Sequence, residues 1–213
     1  MNQKAPTSSQ DAAAQPSVRK PRRAFDREAG VVIAKDLFHE RGFDAAGIAE
    51  LTRVLGINPP SLYAAYGSKA GLFERCLAVY VKEANLPADK ILTAGRPLPE
   101  AIKDLLSQAA ALYTASATKR GCMAAEGMRC ADPQARALAN AHGEASAAFI
   151  EGFIAQSQPQ RARELTDYVV TTLQGLSAAA RAGLSRPRLM SVAGLAGQAF
   201  EALLHTTHSA DKQ

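Results

Sequence analysis

Positions 59–69 read Pro-Pro-Ser-Leu-Tyr-Ala-Ala-Tyr-Gly-Ser-Lys, and five side chains in that run can donate hydrogen bonds. The Ser61 hydroxyl, the Tyr63 and Tyr66 phenols and the Lys69 ammonium all suit anionic oxygens or the polar edge of a base. The chain holds no G-x-S-x-G elbow, Walker phosphate loop, dinucleotide fingerprint or His-x-x-x-His pair. Recognition rather than catalysis is the chemistry expected, with no cofactor and no metal. The Tyr63 ring can also pack partly against a neighbouring helix, since one amphipathic ring serves both roles.

These donors need a helix to array them, and the flanking residues predict one. Proline belongs in a first turn, where the missing N–H costs nothing, so Pro59-Pro60 open a short helix that ends before Gly67. Upstream, Ile48, Leu51, Val54 and Leu55 mark another helix, with Gly56 between the two and Asp44 as its N-cap. Residues 47–66 thus form a helix-turn-helix, which places its second helix in the DNA major groove. A preceding helix over 25–41 carries Val31, Ile33, Ala34, Leu37 and Phe38, and Gly42 ends it. A fourth helix, capped by Ser68, carries Leu72, Phe73, Leu77 and Val81 onward as a rigid connection. Arg19, Lys20, Arg22, Arg23 and Arg27 lie just ahead of the first helix. They read either as a solvated tail or as a basic arm whose Arg22 and Arg23 neutralise phosphates or enter the minor groove.

The 213-residue chain has no tryptophan, 6% aromatic residues and a net charge of +5. Apolar residues recur at helical spacing almost throughout, so an all-α fold is expected. An N-terminal three-helix DNA-binding domain over 24–70 is joined by the long fourth helix to a helical effector-binding and dimerisation domain over 71–207, with a disordered arm over 1–23. No apolar run is long enough for a membrane span and no signal-peptide core precedes the basic cluster, so a cytoplasmic protein is expected. Pro87 and Gly95-Arg96-Pro97 break the chain, and helices follow near 98–118, 133–156, 160–182 and 186–205. The last two present Leu165, Val169, Leu173 and Leu176, and Val192, Ala196, Phe200 and Leu203, amid many small residues. Ordinary internal packing uses part of this surface. The remainder predicts a two-fold dimer.

Among the middle helices, Leu105, Leu112, Tyr113, Met123, Met128, Phe149 and Phe153 are candidates to line a pocket for a small-molecule effector. Cys122 follows Lys119-Arg120, cations that favour a thiolate, and Cys130 lies near enough in sequence to resolve a disulfide. Cys122 therefore reads either as a redox or electrophile sensor or as a small buried hydrophobe. His205 and His208 have a metal-capable spacing but fall at the chain's end, and are expected to be solvated tail.

The whole pattern resembles the TetR/AcrR family of transcriptional regulators. The resemblance rests on Ala34, Leu37-Phe38, Gly42-Phe43, Ile48-Ala49, Gly56-Ile57, Ser61-Leu62-Tyr63, Tyr66, Ser68-Lys69 and Leu72-Phe73. It implies an all-α dimer that binds a palindromic operator on double-stranded DNA, usually as a repressor that a small molecule releases. It also implies that Pro59, Pro60, Ser61 and Tyr63 occupy the exposed start of the recognition helix, with Tyr66 and Lys69 as further contacts and Pro60 as a spacer or a contact to a thymine methyl. Where the family often has Thr or Ser at the start of the second helix, this chain has Ala45-Ala46-Gly47. Its phosphate contact there would come from the Gly47 backbone N–H. A helical interaction protein without operator binding is the competing expectation.

Overall fold

The computed structural model describes Met1 and residues 25–83 and 86–205, and the expected disordered arm with Arg22 and Arg23, like His208, lies outside them. The described residues form α1 (Arg27–Arg41), α2 (Ile48–Leu55), α3 (Pro59–Tyr66), α4 (Lys69–Glu83), α5 (Ala88–Ile91), α6 (Leu98–Tyr113), α7 (Met123–Gly127), α8 (Pro133–Ala155), α9 (Ala162–Arg181) and α10 (Arg186–His205). The fold is all-helical, as expected. No helix among the described residues is long and apolar enough to cross a membrane.

Local chemistry sets the helix ends. Asp26 accepts from the N–H groups of Glu28 and Ala29 at 3.0 and 3.1 Å, opening α1. Asn58 Oδ1 accepts from Ser61 N–H at 2.8 Å, and Ser68 Oγ from Gly71 N–H at 2.9 Å, opening α3 and α4. Gly56 adopts φ 65° and ψ 27°, so the chain reverses between α2 and α3 in three residues without a Cβ penalty. Asp44 is not the N-cap of α2. Its Oδ2 accepts from Ala131 N–H at 2.9 Å, which ties the α1–α2 turn to the segment before α8.

Two apolar clusters fill the interior. The N-terminal cluster centres on Phe38, Phe43 and Phe73, with ring centroids 5.0–5.8 Å apart. It takes in Leu51, Leu55 and Leu62 from the helix-turn-helix, Cys76 and Tyr80 from α4, and Met123, Ala135 and Ala139 from α7 and α8. The division expected at residue 70 therefore falls inside a continuous α4 whose buried face belongs to this cluster. Ile33 leaves the α1 stripe and is 45% exposed. The second cluster packs α6 against α9 and α10 through Ile102, Leu105, Leu106, Leu165, Val169, Leu189 and Phe200.

α6 stops at Tyr113, short of the expected 118, and an irregular segment runs to Cys122. Gly121 makes that path possible: at φ 73° it passes so close to α9 that a Cβ would lie 2.8 Å from the Ser177 carbonyl oxygen. Since Phe73 is 1% exposed and touches both other rings, Phe73→Ala is expected to cost about 3–5 kcal/mol of stability. A shift of the urea midpoint measures it, and a loss below about 1 kcal/mol would mean the ring cluster does not anchor the fold.

Candidate nucleic-acid interface

One face of the helix-turn-helix is open. Pro59, Pro60 and Ser61 at the start of α3 are exposed, and the Tyr63 ring is 46% exposed, while Leu62 and Ala65 point inward. Asn58 caps the helix through its side chain, which leaves the Ser61 hydroxyl free of that task. Gly47, the N-cap of α2, is exposed and supplies no side-chain bond, and nothing lies within 4 Å of where its Cβ would be. The first-turn N–H groups of α2 therefore have no side-chain cap at Gly47, and the positive end of the helix dipole lies there.

Two of the expected contacts are placed differently. Tyr66 is 5% exposed, and its hydroxyl donates to the Arg27 carbonyl at 2.8 Å while Phe25 meets its ring edge-on at 6.2 Å. Burial pushes this phenol above its ordinary value. The Tyr66 side chain ties α3 to α1 and does not face outward, because Phe25 and the start of α1 cover it. Lys69 is half-buried, with Nζ 4.3 Å over the Phe43 ring. Burial lowers its pKa, opposed by the nearby Asp44 and Asp132 carboxylates. Its ammonium is thus spent partly on holding the α1–α2 turn.

Cations that the motif reading passed over stand nearby. Arg53, in the last turn of α2, is 71% exposed and makes only a 3.7 Å pair with Glu50, which Arg41 also approaches at 3.4 Å. Such exposed pairs are weak and leave the guanidiniums able to take another anion. Their exposure came from the way α2 packs, which periodicity alone did not supply.

Behind the helix-turn-helix lies a cavity of about 400 Å³, walled by α4, α5, α6, α7, α8 and α9. Leu105, Leu112, Tyr113, Met128 and Phe149 line it as expected, and so does Cys122. Met123 and Phe153 do not: Met123 points into the N-terminal cluster and Phe153 into the C-terminal one. Cys130 is 5% exposed, and its thiol donates to the Asp132 carbonyl at 3.5 Å. Burial, with Asp44 beside it, raises its pKa, so it sits as a packed thiol rather than a poised resolving partner. The cations preceding Cys122 are engaged elsewhere. Lys119 pairs with Asp36 at 3.1 Å, and Arg120 donates to the Ala180 and Leu184 carbonyls at 2.6 Å each.

Polar contacts around His39 fasten the cavity wall to the N-terminal helices. His39, near the end of α1, meets the Tyr80 ring at 5.1 Å and donates through Nε2 to the Gly121 carbonyl at 3.0 Å. Arg181, at the end of α9, donates to the His39 and Glu40 carbonyls at 2.9 and 3.3 Å and to that of Arg120 at 3.0 Å. It satisfies the orphan carbonyls at the C-terminus of α1 with the charge that terminus favours.

The expected dimer surface needs correction in part. Leu165, Val169, Leu176 and Phe200 are buried in the subunit's own core, because α9 and α10 turn these residues toward α6. Leu173 lines the cavity, Ala196 and Leu203 are half-buried, and Val192 alone among the eight is exposed. Val192 and Leu195, which are 46% and 62% exposed, continue an outer apolar face of α10.

An open recognition helix behind a three-residue turn, set on a helical body with an internal cavity, defines a helix-turn-helix DNA-binding regulator. The chain belongs to the tetR family of bacterial regulatory proteins, whose sequence profile matches residues 32–76. It is 46% identical over 185 residues to the HTH-type transcriptional repressor BdcR of Escherichia coli (strain K12), spanning 87% of this chain and 93% of that protein. The HTH-type transcriptional repressor ComR of the same organism is 27% identical over 183 residues, 81% of this chain and 87% of its own length. Among solved structures, a cysteine mutant of the TetR family transcriptional regulator CifR, complexed with 26 bp double-strand operator DNA, superposes with a TM-score of 0.74 at 31% identity. That match covers 84% of this chain and 99% of the other.

Two outcomes follow from the placements of Tyr66 and His39. Tyr66→Phe should cost about 0.5–1.5 kcal/mol of stability by removing one hydrogen bond, read as a lowered thermal midpoint. Burial, the largest cause, holds the His39 imidazole below its ordinary 6.5, against the opposing bond to Gly121. A depressed folded-state pKa means that the unfolded chain takes up the proton first. The His39 contribution is therefore complete above 6.5 and lost as pH falls through the lower folded value. Urea midpoints measured on either side of that window should fall further in the wild type than in His39→Gln. Parallel pH profiles would assign the acid sensitivity to other groups.

Proposed function

We propose that this family member is a dimeric transcriptional repressor that binds a near-palindromic operator and is released by a small apolar molecule bound in the cavity. It would act in the cytoplasm. The observation that carries the reading is the exposed face made by Pro59, Pro60, Ser61 and Tyr63 beside the uncapped start of α2. Tyr63 and the start of α3 supply contacts in the major groove, with Pro60 against a thymine methyl or as a spacer. The α2 N–H groups at Gly47 take a phosphate, as helix N-termini do. Arg53 and Arg41 supply diffuse charge, Lys69 a shielded one, and Arg22 and Arg23 extend the footprint along the backbone.

A two-fold dimer through the outer faces of α9 and α10 supplies the second recognition helix. Exposed Val192 and Leu195 beside small residues such as Gly175 and Ala199 support it, since they let two helix pairs approach closely. Release needs a ligand that binds one arrangement of α4 better than another, not merely a tight one. The cavity is suited to this because Tyr80 and Val81 of α4 form part of its wall.

Operator fragments selected from genomic DNA by the purified protein test the reading. Tyr63→Ala is expected to weaken the selected site by about 1–3 kcal/mol and to relax base preference. Arg53→Ala should weaken all sequences alike and lower the salt slope by about one. Equal affinity for the selected site and a scrambled duplex at moderate salt would sink the proposal.

A further inference from the structure

The cavity holds a group that the operator reading leaves unused. Cys122 lines it between two buried phenols, Tyr80 at 4% and Tyr113 at 6% exposed. Tyr80 and Cys122 line the same cavity, and the nearby sulfur adds to burial in keeping the Tyr80 phenol protonated. The Tyr113 ring faces the same cavity, and its hydroxyl has no hydrogen-bond partner among the described residues. The Tyr113 hydroxyl is therefore available to an acceptor bound in the cavity.

The backbone fixes this trio. Ser177 Oγ, itself fully buried, accepts from Cys122 N–H at 2.8 Å, and Gly121 N–H donates to the Tyr113 carbonyl at 3.0 Å. The remaining wall is mostly apolar, including Leu105, Leu112, Ile150 and Leu173, with Asp89, His142, Ser146 and Gln174 as its other polar groups. Phe149 lines the cavity while 46% exposed, so it stands at an entrance. Burial, and then proximity to Cys122, pushes both phenols well above their ordinary values, and so both remain donors at neutral pH.

We propose that the cavity is a covalent sensor site, in which Cys122 Sγ adds to small apolar α,β-unsaturated carbonyl compounds whose oxygen the Tyr80 and Tyr113 phenols hold. This rests on reading the cavity as the effector site. Sulfur forms a bond to the β-carbon, the alkene π pair moves to an enolate oxygen held by the phenols, and the thiol's proton ends on the α-carbon. The addition balances with no oxidant or reductant. Donors placed where negative charge develops on oxygen accelerate such a step. The adduct then occupies space beside Tyr80, whose ring supports His39 and through it the end of α1. Cys76 and Cys130, both buried in the other cluster, lack this access.

The test uses the purified full chain, cyclohex-2-enone as the electrophile and its saturated analogue cyclohexanone as the control. Intact-mass and peptide mapping should find one enone per chain, on Cys122, with operator affinity reduced about tenfold or more, a coupling of the size effectors achieve. C122S should keep its own operator affinity when the enone is added, and cyclohexanone should release neither protein. Y113F and Y80F should form the adduct about tenfold or more slowly. The covalent site is overturned by no adduct on Cys122, by an adduct that leaves operator affinity unchanged, or by equal release with cyclohexanone. Unchanged labelling rates in both tyrosine variants would overturn the role of the phenols. Absence of operator binding by the unmodified protein would instead fail the repressor reading, while the labelling rates still judge the site.

Discussion

The coupling between the helix-turn-helix and the cavity rests first on how α4 is buried. Its face carrying Leu72, Phe73, Cys76, Leu77 and Tyr80 is packed into the N-terminal cluster, so the helix-turn-helix has no complete core without it. The same helix ends with Tyr80 and Val81 in the cavity wall. A close-packed interior transmits displacement rather than absorbing it. Any ligand that shifts the end of α4 therefore acts on the platform that sets the position of α3.

The junction around His39 adds a second link in parallel. Gly121 is held by His39 on one side and crowds Ser177 on the other, and Arg181 closes the ring by capping α1 from α9. These are short, directional contacts between elements far apart in sequence. They give the α1–α9 contact discrete geometry, whereas apolar packing alone would tolerate sliding. Two arrangements of such a junction can differ in energy by a ligand's differential affinity, which is what allosteric release requires.

The helix-turn-helix was legible in the sequence because its determinants are local. Asn58, Pro59, Gly56 and Ser68 each act within a few residues of where they stand. Tyr63 and Tyr66 were harder to separate. Both are amphipathic rings on an eight-residue helix, and only the crossing of α1 decides that Tyr66 finds the Arg27 carbonyl while Tyr63 stays open. The same holds for α9 and α10. Their apolar faces are visible as periodicity, but which face meets α6 depends on long-range packing, so Leu165, Val169, Leu176 and Phe200 fell on the inner side. Met123 and Phe153 missed the cavity for this reason too, each drawn into one of the two clusters that flank it.

Cys122 shows how far a local charge argument reaches. Lys119 and Arg120 stand next to it in sequence, but Asp36 takes one cation and the carbonyls at the end of α9 take the other. The adjacent cations thus serve to hold the 114–122 segment in place. What gives the thiol a chemical environment is instead the pair of phenols from α4 and α6, more than thirty residues apart in sequence. A nucleophile flanked by donors in a largely apolar cavity is a different device from a thiolate beside cations: as proposed, it would select for an electrophile with an oxygen to be held, not for an oxidant. The segment's pairing to Asp36 and α9 then has a direct consequence, because the loop carrying Cys122 cannot yield to an adduct without disturbing the contacts that position α1.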